Sequence, residues 1–133
     1  MDQEEMKKRT KEFAKQVINL CRQLPETREG RLIGGQLFRS GTSVGANYRA
    51  ACRGRSKADF ISKIGIVLEE ADESLYWLEI LSESGIVKCE FVMPLMGEAD
   101  ELISIFVVTL KTAKSRRHAN LKSEICNLKS GGT

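Results

Sequence analysis

Apolar residues recur along the first part of the chain at intervals typical of a helix that is buried on one side. They lie at Met6, Phe13, Val17, Leu20 and Leu24. Steps of three, four and seven residues place side chains on one face of an α-helix. Pro25 ends this segment, and the polar run Glu26–Gly30 predicts a loop. We therefore predict a first helix over about residues 2–24.

A second segment, over about residues 31–52, repeats this spacing but is rich in small residues. Its apolar positions are Ile33, Leu37, Val44, Tyr48 and Ala51. Each glycine inside a helix costs about 1 kcal/mol relative to alanine, so close packing by a neighbouring helix is expected to compensate. Gly41 and Gly45 lie four residues apart on one face, and we predict that the neighbouring helix approaches there.

The third segment has clear start and stop signals. Ser56 and Asp59 have the spacing of a capping box, with aspartate in the usual glutamate place. An apolar stripe follows from Phe60 to Leu78, and Gly85 ends the helix. A third helix is therefore predicted between Ser56 and Gly85.

A fourth helix is predicted from about Glu90 to Arg117. Its stretch Leu102–Leu110 is β-branched enough to suggest a buried strand instead. Acids precede this stretch and bases follow it, which suits a helix dipole, and no second strand is available for pairing. Helix is the favoured interpretation, and the polar segment 119–133 is predicted to be a disordered tail.

These elements predict an all-α protein, an up-down-up-down antiparallel four-helix bundle over residues 1–118 with a tail over 119–133. The fourth helix is apolar over more than one face, which exceeds what one bundle core can cover. Its surplus surface would be buried if subunits associate, so we expect a homo-oligomer.

Composition narrows the class of protein. The chain has 133 residues, 41% of them hydrophobic, and no apolar run long enough to cross a membrane. Its acidic N-terminus lacks the apolar core of a signal peptide, so a cytoplasmic location is expected. The four cysteines are far apart, so a zinc site is not expected. Two disulfides are formally possible, but the lack of a secretory signal favours reduced thiols. We expect no metal, cofactor or membrane partner.

Charge is distributed in blocks that the net charge of +3 hides. Between Arg28 and Lys63 there are eight Lys or Arg and two acids, whereas Glu69 to Glu101 holds ten acids and one base. On a helical wheel Arg31, Arg39, Arg49 and Arg53 fall within roughly 80°, nearly opposite the apolar stripe. Arg55 and Lys57 extend this basic surface into the next turn.

Two interpretations of this arginine stripe remain open. In one, the arginines pair with acids of the third helix, within a subunit or across an interface, and contribute little to stability. In the other, the stripe binds a polyanion, because arginine offers paired donors to phosphate and stacks on bases.

Catalysis has little support in the sequence. The single histidine, His118, lies in a basic region, so a serine–histidine–acid triad is not expected. Glu69 and Glu73 are one helical turn apart, but they are better explained as ion-pair partners of the arginines. Ser43 and Asn47 are expected to take part in hydrogen bonds between helices. We predict that the protein is not an enzyme.

The run QLFRSGTSVGANYRAACRGRS at Gln36–Ser56 resembles a known bacterial family. This family of four-helix bundles was first noticed as open reading frames in 23S ribosomal RNA intervening sequences. The accessory variability determinant of diversity-generating retroelements is similar. The resemblance continues through Lys57–Phe60 and Glu69–Glu79, so it covers the second and third helices closely and the outer two by pattern.

The resemblance implies a ring-like homopentamer with a basic surface that binds nucleic acid rather than catalysing a reaction. The family's Ser-(Ile/Val)-x-x-Asn core maps onto Ser43, Val44 and Asn47. Its basic positions map onto Arg39, Arg53 and Arg55. This chain has Tyr48–Cys52 where many relatives have Ile-Ala-Glu-Gly, and the added Arg49 makes the stripe more basic.

We therefore expect a homo-oligomer that binds structured RNA or another nucleic acid through phosphate contacts. The expected contacts are Arg39, Arg49, Arg53 and Arg55, supported by Arg31 and Lys57. Gly41, Ser43, Gly45 and Asn47 are expected to make contacts between helices. One alternative is a scaffold that docks a nucleic-acid enzyme such as a reverse transcriptase. Another is a structural oligomer whose arginines pair with Glu69, Glu70 and Glu73 across subunits.

Overall fold

Four α-helices account for most of the chain. The computed structural model describes residues 2–131, with side chains as far as residue 125. The helices are α1 (Gln3–Gln23), α2 (Arg28–Cys52), α3 (Lys57–Glu83) and α4 (Cys89–Gly131), and residues 2–131 contain no strand. The all-α prediction is confirmed, and the Leu102–Leu110 stretch is helical.

Three of the helices begin at a capping side chain. Asp2 Oδ1 accepts a hydrogen bond from Glu5 N (2.8 Å), and Ser56 Oγ accepts one from Asp59 N (3.1 Å). Thr27 Oγ1 accepts from Gly30 N (3.1 Å), so α2 begins at Arg28 rather than at residue 31. Each cap satisfies an amide that the helix leaves unpaired, a contribution of about 1 kcal/mol. The predicted loop over residues 26–30 was therefore too long.

The helices form a bundle in which each packs antiparallel against the next. α1 also packs against α4, and this is the smallest of the four contacts between helices. The connections between helices are four or five residues long. The core consists of the buried apolar faces of all four helices. Its largest fully buried side chains include Phe13, Leu37, Ile64, Leu78 and Phe106. The predicted four-helix bundle is confirmed.

Gly41 and Gly45 lie where α1 and α2 approach most closely. A Cβ atom at Gly41 would lie 2.8 Å from a methyl group of Val17. One at Gly45 would lie 3.2 Å from Thr10 Oγ1. The buried Thr10 hydroxyl donates to Met6 O (2.9 Å), so this contact leaves no polar atom unsatisfied. Close packing here offsets the low helix propensity of the glycines.

α4 is much longer than predicted. Its 43 residues span about 64 Å, against about 40 Å for the 27 residues of α3. The predicted end near Arg117 was wrong, because the helix continues to Gly131 through a segment that the sequence suggested was disordered. Residues 114–125, here called the C-terminal extension, are exposed throughout. A boundary between bundle and tail at residue 118 stays a prediction, and residues 132 and 133 lie outside the described range.

Candidate nucleic-acid interface

The predicted basic residues are all exposed, but they do not form one continuous stripe. Arg31 and Arg49 are 18 residues apart on α2, which corresponds to about 27 Å. Arg39 lies between them and faces α3, whereas Arg49 and Arg53 lie beside α1. The stripe therefore divides into three regions with different neighbours.

Arg39 is engaged by two carboxylates of α3. Its Nη2 donates to Glu73 Oε1 (2.5 Å), and its Nη1 donates to Glu70 Oε2 (3.3 Å). Trp77 Nε1 also donates to Glu73 Oε1 (3.2 Å). The hydrogen bond from Arg39 holds the pKa of Glu73 below its ordinary value. Pairing with the acidic third helix, one of the two interpretations of the stripe, therefore holds for Arg39 within a single chain.

Arg49 and Arg53 line a groove between α1 and α2 together with three lysines of α1. This basic groove has a volume of about 360 Å³. It is lined by Glu4, Lys7, Lys8, Lys11, Arg49 and Arg53. Glu4, its single acid, accepts a hydrogen bond from Lys7 Nζ (3.0 Å). Among the side chains described, the other four bases of the groove form no ion pair.

The close contact between α1 and α2 is what assembles the basic groove. Lys11 follows Thr10, the residue that packs over Gly45, and Arg49 lies one helical turn after Gly45. A larger residue at Gly45 would separate the two helices and therefore the two sets of charges. The α1 lysines were missed by the sequence analysis, although their spacing at 7, 8 and 11 places them on one side of a helix.

The remaining basic residues lie at the two ends of α2. Arg31 lines a separate groove of about 640 Å³ with Arg22, Glu26 and Phe38. Arg55 lies in the turn after α2, where its backbone N–H donates to Asp59 Oδ2 (3.2 Å). Lys57, the first residue of α3, is exposed at the same end of the bundle as the basic groove.

Ser43 and Asn47 make hydrogen bonds within α2 instead of between helices. Ser43 Oγ donates to Arg39 O (2.6 Å), and Asn47 Nδ2 donates to Ser43 O (2.8 Å). The hydroxyl contact that does join two helices is between the buried Ser40 and Ser74, whose Oγ atoms lie 3.1 Å apart. Hydroxyl and amide groups in a helix readily bond to the preceding turn, so the four-residue spacing of Ser43 and Asn47 corresponds to a hydrogen bond within α2.

The described cysteines carry no disulfide. Cys21, Cys52 and Cys89 are free thiols, and burial raises the pKa of Cys21. The side chain of Cys126 lies outside the described residues. Over the described range, His, Cys, Asp and Glu form no group of three or more that could hold a metal ion. His118 lies exposed on the C-terminal extension.

The fold and the basic groove together define a class of protein. It is a helical bundle with a cluster of Lys and Arg side chains, not matched by acids, between α1 and α2. Within the described residues, no helix is long and apolar enough to cross a membrane. The sequence model of the 23S rRNA-intervening sequence protein family matches residues 2–108. The chain belongs to this family, as the resemblance in its second and third helices indicated.

A solved structure supports the same assignment. It is the crystal structure of a protein of unknown function from the S23 ribosomal protein family of Bacteroides thetaiotaomicron VPI-5482. The two proteins share 35% identity with a TM-score of 0.74 over 79% of this chain and 97% of the other. A comparison with curated protein sequences found no match.

Proposed function

We propose that this protein is a non-enzymatic, cytoplasmic homo-oligomer that binds structured RNA through phosphate contacts in the basic groove. Arg49, Arg53, Lys8 and Lys11 are the principal contacts. Arg55 and Lys57 extend the surface at the same end of the bundle. Arg31 and Arg39 contribute less, because Arg31 lies about 27 Å away and Arg39 is already paired. No cofactor or metal is required for this role.

The observation that carries the proposal is the charge imbalance of the basic groove. Five bases and one acid line it, and the acid is bonded to Lys7. Like charges gathered on two packed helices repel one another, so an anion that neutralises several of them at once is favoured. Phosphate groups suit this arrangement, because arginine binds them with paired donors and lysine as a point charge.

Among the possible polyanions we propose RNA, because the resemblance to this family implies a nucleic-acid ligand. Members are described as 23S rRNA-intervening sequence proteins, and the relative from B. thetaiotaomicron is placed in the S23 ribosomal protein family. An RNA helix presents regularly spaced phosphates along its length, and a row of Lys and Arg side chains can contact several of them.

Assembly into a ring-like homopentamer, which the family resemblance implies, would repeat the basic groove around one surface. Exposed apolar side chains on α4 offer area for such contacts, since Phe91, Met93 and Val108 are 51%, 60% and 62% exposed. Linked binding sites raise affinity without any new contact, because each later binding event is intramolecular.

Charge reversal in the groove tests the proposal. The Arg49→Glu/Arg53→Glu variant should bind a purified RNA hairpin at least about 100-fold more weakly, because four units of charge change at the phosphate contacts. The Arg22→Glu/Arg28→Glu variant carries the same charge change at exposed positions at the other end of the bundle, where α1 ends and α2 begins. It should bind within about threefold of the unaltered protein. Circular dichroism and mass in solution should be unchanged in both. Equal weakening in the two variants would contradict the assignment to the groove.

A protein-docking role is the second candidate, and the exposed apolar residues near Arg31 favour it. Leu32 and Phe38 are 61% and 46% exposed on the same part of α2. Such residues suit a protein partner, for example a nucleic-acid enzyme such as a reverse transcriptase, better than phosphate. Titration with RNA in the absence of any protein distinguishes the two, since a scaffold would bind the RNA weakly or not at all.

A further inference from the structure

The C-terminal extension lies outside both the bundle core and the family match. The match ends at residue 108, and every side chain from Lys114 to Ile125 is exposed. A helix that leaves the bundle without burying any residue gains no stability from packing within its own chain. Any surface that buries residues of this extension must therefore belong to another molecule.

One side of the extension combines bases with apolar residues. Lys114, Arg117, Leu121, Lys122 and Ile125 fall within an arc of about 140° on the helical wheel. Leu121 and Ile125 are 48% and 53% exposed, one turn apart. Apolar side chains between charged ones are typical of a helix that docks on a protein surface, because burial of the apolar residues drives association and charge sets the register.

The outer face of α3 has the complementary character. Glu69, Asp72 and Glu83 are exposed there, and none forms an ion pair with a described side chain. Tyr76 lies among them and is 53% exposed, and Ile66 is 41% exposed. These five residues fall within an arc of about 120°. No Lys or Arg occurs from residue 64 to residue 87, so the face is acidic along its whole length.

These two surfaces cannot meet within one chain. The extension continues along the α4 axis away from the bundle, beyond the end where α3 begins. The acidic face of α3 runs back along the bundle from Ile66 to Glu83 and points away from its own core. Contact between the surfaces therefore requires a second copy of the chain.

We propose that the C-terminal extension docks on the outer face of α3 in a neighbouring copy. Lys114 and Arg117 of the extension face Glu69 and Asp72, and Leu121 covers Tyr76, because these three residues have the same spacing along each helix. This contact joins two different surfaces, so it repeats from copy to copy and either closes into a ring or continues as a filament. The inference rests on the assembly part of the proposed function and assigns its interface, and it does not depend on RNA.

A charge-swap series on the full chain tests this interface, with mass in solution measured by light scattering over a range of concentrations. Two double variants should each lower the association constant of the subunits at least about tenfold, because like charges then face each other. They are Lys114→Glu/Arg117→Glu and Glu69→Lys/Asp72→Lys. The four substitutions together should restore assembly to within about threefold of the unaltered protein. Arg22→Glu/Lys88→Glu, a control elsewhere with the same charge change as Lys114→Glu/Arg117→Glu, should assemble normally. All the positions are exposed, and circular dichroism checks that each variant is folded.

Three results would overturn the inference. Assembly that neither double variant weakens would show that the subunits associate through other surfaces, and the proposed homo-oligomer would stand without this interface. An unaltered protein that stays monomeric would remove both the interface and the proposed oligomer. A Lys114→Glu/Arg117→Glu variant that assembles normally but binds RNA more weakly would assign the extension to the nucleic acid.

Discussion

The two flanks of α2 carry the same residue type in different surroundings. Arg39 lies beside α3 and donates to Glu70 and Glu73. Arg49 and Arg53 lie beside α1, in a groove whose other bases are lysines. The charge of the neighbouring helix, rather than the exposure of the arginine, thus decides which guanidinium groups are available to an outside anion. A basic stripe on one helix is an incomplete description of a binding surface until its neighbours are known.

The largest expected difference between the two flanks is in RNA affinity and its dependence on salt. Neutralising the groove with Lys8→Gln, Lys11→Gln, Arg49→Gln and Arg53→Gln should reduce the magnitude of the slope of log K against log salt by about 3–4, because each lost phosphate contact removes roughly 0.7–0.9. Affinity at moderate salt should fall at least about 100-fold. Fluorescence titrations of an RNA hairpin at several salt concentrations measure both quantities.

Arg39→Gln is the matched substitution on the other flank. It should leave the slope within about 0.5 and the affinity within about twofold, since Arg39 is already neutralised by carboxylates. A loss of affinity in Arg39→Gln as large as that of one groove residue would remove the distinction between the flanks.

The next largest effect concerns the glycine contact that holds α1 against the groove side of α2. Gly41→Ala places a Cβ atom 2.8 Å from the stiff, buried side chain of Val17, whereas Gly35→Ala meets no atom within 4 Å. Both substitutions gain about 1 kcal/mol of helix propensity, so their difference isolates the steric cost. Gly41→Ala should be less stable than Gly35→Ala by about 1–3 kcal/mol, measured by urea unfolding. Equal stability of the two variants would show that α1 does not need the glycine to pack closely.

The smallest effect is the pH dependence of folding stability that comes from the ion pair of Arg39 with Glu73. Because the pKa of Glu73 is lowered in the folded protein, the unfolded chain binds more protons than the folded protein at pH values just below 4.5, the ordinary pKa of glutamate. The stabilisation from the contact of ionised Glu73 with Arg39 is fully present above pH 4.5. It is lost as the pH falls through the pKa of Glu73 in the folded protein. Urea midpoints between pH 3 and 6 should therefore decline on acidification, and Glu73→Gln should decline less steeply. A Glu73→Gln profile that runs parallel to that of the unaltered protein would exclude this contribution.

The fold was predictable from the sequence wherever a local signal marks it. Pro25 and Ser56 marked the end of α1 and the start of α3 within a residue or two. Two boundaries were missed for identifiable reasons. The Thr27 cap lies in a polar run that resembles a loop, and the segment after Arg117 is polar yet contains no proline or glycine before Gly131. Polar composition alone does not distinguish a solvated helix from a disordered tail.

The basic groove was only half predictable. A helical wheel placed Arg49 and Arg53 on the outer surface, but it could not show which helix lies beside them. Lys8 and Lys11 become neighbours of these arginines only after α1 packs over Gly45, a contact between residues far apart in the sequence. Pairing of Arg39 could be anticipated from the block of acids in α3, although not which of the acids pairs with it.

Lysine acetylation with and without RNA tests the central claim most directly, because it reports on the α1 lysines in the unaltered protein. Mass spectrometry of protein treated with acetic anhydride gives the reactivity of each lysine. RNA should reduce the acetylation of Lys8 and Lys11 at least about threefold, as phosphate contacts exclude the reagent. Lys88, which is exposed at the opposite end of the bundle, should react equally in both samples. Unchanged reactivity of Lys8 and Lys11 in a sample that contains bound RNA would contradict the assignment of the groove.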